Sequence, residues 1–426
     1  MKFTKMSLVA ALLIGSSAFA IDNVKVGGDA KLFYATSDEG KKDLFDKDNA
    51  AADAGLNLNV TADLVKNDTV AISAGAAYTV ISTLGLENNL VSNVWAGSHG
   101  ATLGTDSRYG NKVENANWMN EAWIAATAGK TTAKIGRMEL DTPLAFTETW
   151  SIERNTFEAA VVINQDIPDT TLVGAYVGNG NGTETLGEDE RGIVNTADLA
   201  VGPVVNADGR FTTYGKNGAY TVGVINNSFK PLTAQAWYYN VSGVATAYWL
   251  QADLKCQKIE GLLAGAQYTS VESVASGAKD DNVYAVMLGY EMKDVVTVKV
   301  AYSSVNDDGS IGYAAFNTAT NVERAKSKLY TEAWWNYGKV TQTDTESYNV
   351  TLKGQAAGVD LALYYTDADQ GKKAGDNDLT EVAATVGKSF GPLDATLAYV
   401  YADVKTDTVG DDETSNMVQA YLTLNF

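Results

Sequence analysis

Histidine, cysteine and proline are almost missing from this chain of 426 residues, which holds one His, one Cys and five Pro. Cys256 has no second cysteine with which to close a disulfide, and His99 by itself cannot build a two-histidine zinc site. Hydrolytic constellations that set a His base against a nucleophile are thereby disfavoured, and no enzymatic activity is expected. Basic residues are scarce as well: 32 Lys plus Arg stand against 52 Asp plus Glu, a net charge of −20. That balance excludes a nucleic-acid binder, which needs a basic face for phosphate contacts, and points to cations or plain solvation. Long apolar runs are also lacking. No stretch reaches the ~20 apolar residues that a membrane-spanning helix requires.

Residues 1–20 have the form of a secretory signal peptide. Lys2 and Lys5 charge its start, Met6 to Ile14 form a short apolar core, and Ala18-Phe19-Ala20 is a small-x-small cleavage site. The mature domain is expected to span 21–426. Losing two lysines leaves 30 basic against 52 acidic residues, a charge of −22.

Beyond residue 20 the dominant signal is alternation with period two. Leu56, Leu58, Val60, Ala62 and Leu64 alternate with Asn57, Asn59, Thr61 and Asp63. Lys66-Asn67-Asp68 then turns the chain into Val70, Ile72, Ala74, Ala76 and Tyr78. Counting such runs predicts eighteen strands: 24–34, 54–65, 69–80, 118–127, 131–138, 156–165, 170–178, 218–226, 232–241, 246–254, 259–269, 282–290, 295–304, 346–354, 359–366, 379–389, 393–403 and 416–426. Eight short turns alternate with nine mostly longer loops, the asymmetry of an outer-membrane barrel. All five prolines fall in turns or loops, as a hydrogen-bonded ladder demands. The predicted fold is all-β: a transmembrane antiparallel up-and-down β-barrel of about 18 strands.

Three features favour lipid over water on the apolar face. The apolar positions carry no mid-strand charge, as expected where a basic residue would cost ~2–4 kcal/mol at the bilayer midplane. Tyrosines (Tyr34, Tyr78, Tyr268, Tyr290, Tyr302, Tyr399, Tyr401) gather near the ends of that face, which suits the headgroup interface. The chain stops in a strand whose outward positions run Val418, Ala420, Leu422, Leu424, Phe426, so Phe426 is expected to act as the assembly signal. A barrel this wide cannot be filled by its own side chains, and inward Asn57, Thr61, Ser73, Thr297, Lys299, Asn349 and Lys353 suit a wet lumen.

The third long loop, 139–155, is too apolar for open water: Leu140, Leu144, Ala145, Phe146 and Trp150. Folded inward, it would constrict the pore and set Glu139, Asp141, Glu148 and Glu153 against the basic residues Lys134, Arg137, Arg154, Lys299 and Lys353. Such a transverse field, with acids in excess, should favour cations. Loops near 81–117, 179–217 and 306–345 read as polar and Gly-rich, and leave a surface adhesin open as an alternative. No cofactor or metal is implied, since the acid clusters at Asp46, Asp48 and Asp53 or at Asp307 and Asp308 complete no EF-hand spacing.

The run Lys134-Ile135-Gly136-Arg137-Met138-Glu139-Leu140-Asp141-Thr142-Pro143-Leu144, with Asn155 to Ala160 and Lys328-Leu329-Tyr330-Thr331-Glu332-Ala333-Trp334-Trp335, resembles the major outer-membrane porins of campylobacter-like bacteria. More distantly it is similar to the substrate-selective porins of pseudomonads. The resemblance implies an 18-stranded barrel, an inward third loop and passive transport in the outer membrane of a Gram-negative bacterium. Substrate-selective relatives carry an arginine ladder, whereas inward basic residues here are few and mostly lysines. A general diffusion porin is therefore expected, with a substrate-selective channel as the alternative. Implied partners are the bilayer and lipopolysaccharide, the outer-membrane assembly machinery, and small hydrophilic solutes and cations; some relatives are trimers and some monomers, so a homotrimer stays open beside a monomer.

Overall fold

A computed structural model describes residues 22–38, 43–82, 84, 93–96, 99–102, 116–149, 152, 154–182, 209–213, 217–319, 325–371, 375, 377–405 and 413–426. The predicted signal peptide lies outside these residues. Eighteen long strands form the wall: β1 (Asp22–Ser37), β2 (Ala50–Lys66), β3 (Ala71–Ser82), β4 (Ala116–Ala128), β5 (Thr131–Met138), β6 (Phe157–Asn164), β7 (Thr170–Gly180), β8 (Ala219–Asn226), β9 (Leu232–Val241), β10 (Ala245–Lys255), β11 (Leu262–Ser273), β12 (Asp281–Met292), β13 (Val296–Val305), β14 (Thr345–Ala356), β15 (Val359–Gln370), β16 (Asp378–Phe390), β17 (Leu393–Lys405) and β18 (Glu413–Asn425). Each pairs antiparallel with its chain neighbours, and β18 returns to β1, from Asp29 opposite Asn425 to Ser37 opposite Met417. Every expected strand is present in order. Among the described residues three further short strands lie in loops: Asn93–Ala96, His99–Thr102 and Thr212–Thr213. The first of these runs parallel to Ala51 and Ala52 of β2 and turns back so that His99 pairs with Ala96.

Closure satisfies the backbone groups that an open edge would leave bare in lipid. The seam is finished by the last residue. Phe426 N–H donates to Gly28 O at 3.0 Å, and Gly28 N–H donates to Phe426 O at 2.9 Å. A Cβ on Gly28 would overlap both the Asn57 carbonyl and the Phe426 ring, so glycine lets the terminal ring lie flat on the seam.

Alternation sorts the wall into two faces as expected. Ile135, Leu288, Val300 and Leu397 are 51–61% exposed on the outside, where lipid would cover them. Near the loop end of the wall the outward face carries tyrosines paired across strands, with ring centroids 5.0 Å apart for Tyr176–Tyr220, 5.3 Å for Tyr238–Tyr248 and 5.1 Å for Tyr302–Tyr348. Amphipathic rings at one level mark a headgroup interface. Short turns close the other end, the periplasmic one in such barrels.

The lumen is uneven along its axis. Inward residues in the loop-end half are buried and largely apolar, among them Phe33, Trp118, Trp237, Trp249, Val271 and Val283. Two loops cover them. The third loop (139–156) supplies Leu144 and Ile152; the seventh (306–344) supplies Ala314, Leu329, Ala333, Tyr337 and Val340. The expectation of an external, polar seventh loop is thus corrected: its alternate small and apolar residues pack against the inner wall. Toward the turn end a cavity of about 620 Å³ opens along the inner wall of β12 to β17.

Candidate functional site: the two-loop constriction

The third loop carries two antiparallel bridges, between Asp141 and Phe146 and between Thr149 and Arg154. Pro143 sits at the first turn, where Thr142 Oγ1 donates to Ala145 O at 2.8 Å. This local fold presents Leu144, Phe146 and Ile152 as buried side chains and leaves Asp141 in the open.

A ladder of polar bonds ties the third loop to the seventh. Asn317 is the centre: its Oδ1 accepts from Phe146 N–H at 3.0 Å, and its Nδ2 donates to Phe146 O at 2.8 Å and to Glu148 Oε1 at 2.7 Å. Lys326 N–H also donates to Glu148 Oε1, at 3.0 Å, and Thr318 Oγ1 donates to Leu144 O at 2.6 Å. Asp141 and Lys328 form an ion pair across the same junction.

The seventh loop is in turn fastened to the wall on both sides of the lumen. On β16, Glu381 accepts from Trp334, Trp335 and Asn336 N–H at 2.6, 3.0 and 2.9 Å, and from Asn336 Nδ2 at 2.8 Å. Three to six strands around the wall, Tyr330 Oη donates to Asp253 of β10 at 2.5 Å, Gln267 Nε2 of β11 donates to Lys328 O at 2.7 Å, and Ser303 of β13 bonds Thr331, while Tyr337 packs on Phe33 of β1, Ile81 of β3 and Trp118 of β4. Gly265 gives Tyr330 room, because a Cβ there would strike its ring. The loop therefore crosses the pore.

The sequence-predicted site residues separate into groups. Glu139 pairs with Arg154 of its own loop at 2.9 Å. Lys134 lies within electrostatic reach of Glu139 and Glu121, with its ammonium 4.2 Å from the centroid of Trp123. Lys299 and Lys353 face the lumen nearer the turn end, where Lys353 lines the open cavity and lies over Tyr364. Two expectations need correction. Glu148 is 2% exposed and works as a strut between loops, because its carboxylate is occupied by Asn317 and Lys326 amides. Arg137 points away from the lumen: it shares the outer face with Ile135, bonds Glu158 at 2.9 Å and packs under Phe211. Glu153 and Trp150 lie outside the described residues.

Sequence reasoning missed Glu381, Asn317, Lys326 and Lys328. Glu381 had a signal, an acid at an inward position flanked by Leu379 and Ala383, both buried. Glu332, on the crossing segment, has its carboxyl pushed up to about 7 by burial, with Lys326 pulling it down and Glu148 pushing it further up. Burial and the carboxylates of Glu332, Glu148 and Glu381 hold the Tyr337 phenol well above its ordinary range.

A closed 18-stranded barrel with a lipid-facing band, a tyrosine belt and inward loops is the architecture of an outer-membrane channel. Solved structures agree with the fold. Acinetobacter baumannii OccAB2 superposes with a TM-score of 0.70 at 14% identity, covering 95% of this chain and 98% of the other. Pseudomonas aeruginosa OccK5 (OpdH) gives 0.68 at 13% identity, covering 96% and 100%. OpdK from the same organism, crystallised with vanillate, gives 0.64 at 12% identity, covering 94% and 98%. No protein-family model and no curated protein matches the sequence.

Proposed function

We propose that the chain is a passive diffusion channel in the outer membrane of a Gram-negative bacterium, admitting small hydrophilic solutes and ions and preferring cations. The open space at the turn end is the observation that supports it most directly: a cavity of about 620 Å³ along β12 to β17, where Thr297, Lys353, Gln355, Asp360, Thr385 and Thr396 stand among apolar residues such as Val296 and Ala362. A surface of that chemistry keeps water, and the barrel supplies a continuous wall around it. Flux is then set at the two crossing loops, where Glu139, Asp141, Arg154 and Lys328 carry the exposed charge. The overall acid excess supports cation preference by raising cation concentration at the mouth. Neutralising Glu139 and Asp141 together should lower the cation-to-anion permeability ratio. An unchanged reversal potential under a KCl gradient would refute their role.

A carboxylate-selective channel is the second reading, favoured by the convergence of Arg154, Lys326 and Lys328 on the constriction. Vanillate, the ligand crystallised with OpdK, distinguishes the two. A general pore passes potassium current undisturbed by it, whereas a selective pore shows concentration-dependent block. The lipid-facing band and the terminal Phe426 support partnership with the bilayer, lipopolysaccharide and the assembly machinery.

A further inference from the structure

A second cavity, of about 140 Å³, lies away from the conduction path between the tip of the third loop and the inner wall of β7 to β11. Its lining is far more apolar than that of the open lumen. Leu144 of the third loop, Phe316 of the seventh and Ala247 and Val271 of the wall are among its lining, and among the described residues no charged side chain borders it. Most hydroxyls of the lining already have partners: Thr142 donates to Ala145 O, Thr318 to Leu144 O, Thr221 to Tyr238 O at 3.0 Å and Thr246 to Glu272, while Tyr239 accepts from Leu144 N–H. A water placed there would find too few of the 2–4 polar partners it needs, so the space is dry.

The wall is low beside this cavity. β8 has eight residues, against 16 and 17 in β1 and β2, and the connection from β9 to β10 is only residues 242–244, with Gly243 at a positive φ in the turn. The lining reaches that edge: Val244 belongs to the turn, and Tyr220 is a member of the outward tyrosine belt, half exposed and tilted against Tyr176. The cavity's lining therefore comes up to the outward tyrosine belt at a low stretch of the wall. A space of similar size lined by aliphatic and aromatic side chains stays dry and takes up benzene in another protein.

We propose that this cavity is a binding site for a small uncharged molecule of about one benzene ring, drawn from the outer-leaflet interface. A lipid acyl chain is too long for it, and a charged pore solute would find no counter-charge. Neither reading of the conduction path is needed for this site, since its lining shares no residue with the open lumen.

Fluorobenzene is a suitable probe, followed by fluorine NMR relaxation with the purified full chain in detergent and with protein-free micelles as the reference. The wild-type chain should broaden the signal saturably. Ala247→Phe, which fills the cavity, should weaken that binding by roughly tenfold or more. Should that variant fail to fold, Leu144→Ala tests the same site by enlargement: it should gain saturable binding of 1-fluoronaphthalene, which the wild-type cavity is too small to hold. Linear, non-saturable broadening equal to that of empty micelles, or equal saturable binding in wild type and Ala247→Phe, would overturn the site. So would an absence of naphthalene binding by folded Leu144→Ala.

Discussion

The two halves of the lumen solve different problems with the same wall. Near the short turns, inward positions are Thr, Gln, Lys and Asp around open space; near the loops, the strands turn inward Trp237, Trp249, Val271 and Val283, which the third and seventh loops cover. A wet half keeps the pore passable. A packed half holds a constriction still, because loops crossing water without such anchors would spend their ordering entropy against little burial. Alternation along a strand thus tells which side chains face inward, but not whether inward means water or another segment of chain.

Breaking the packed half should have the largest effect. Glu381→Ala strands three backbone amides, each costing ~1–3 kcal/mol when buried without an acceptor. The seventh loop should then detach, and limited trypsin digestion should cut at Lys326, Lys328 or Lys339 far faster than in the wild type. Thr297→Ala, in the wet half, should leave the digestion pattern unchanged.

The lipid face is the next contrast. Leu58→Arg places a charge on the membrane side and should cost ~2–4 kcal/mol near the midplane. Its yield of folded, heat-modifiable barrel should fall, while inward Thr61→Ser assembles normally. Truncation of Phe426 should slow insertion without unfolding barrels already closed, as followed by the same gel shift over time.

A smaller effect is expected from pH. Glu332 holds its proton in the docked loop up to about pH 7, whereas a free glutamate would lose it near 4.5. The docked state therefore binds more protons in that interval, and docking weakens as pH rises from about 4.5 to about 7, then levels off. Protease cutting of the seventh loop should rise across that window, and Glu332→Gln should flatten the curve.

These contrasts also explain what could be read from the sequence. Strand number and order follow from alternation and turn residues, which are local. The outer face of Leu58, Val300 and Leu397 is local too. Arg137 was legible by the same rule: Lys134 and Gly136 share one face and Ile135 and Arg137 the other, so grouping it with Lys134 ignored its parity. Glu148 was not legible, because its partner Asn317 lies 169 residues away and nothing nearby announces it. The seventh loop was half legible. Its Ala314-Ala315-Phe316 and Ala333-Trp334-Trp335 are too apolar for solvent, but only the tertiary fold shows that Glu381 and Asp253 receive it.

Single-channel recording of the full chain in a planar bilayer, beside a variant in which residues 313–341 are replaced by a short Gly/Ser linker, tests the two-loop constriction most directly. Expected is a small, ohmic wild-type conductance that rises several-fold in the variant. Equal conductance in the two, or no channel from a folded wild-type barrel, would contradict it.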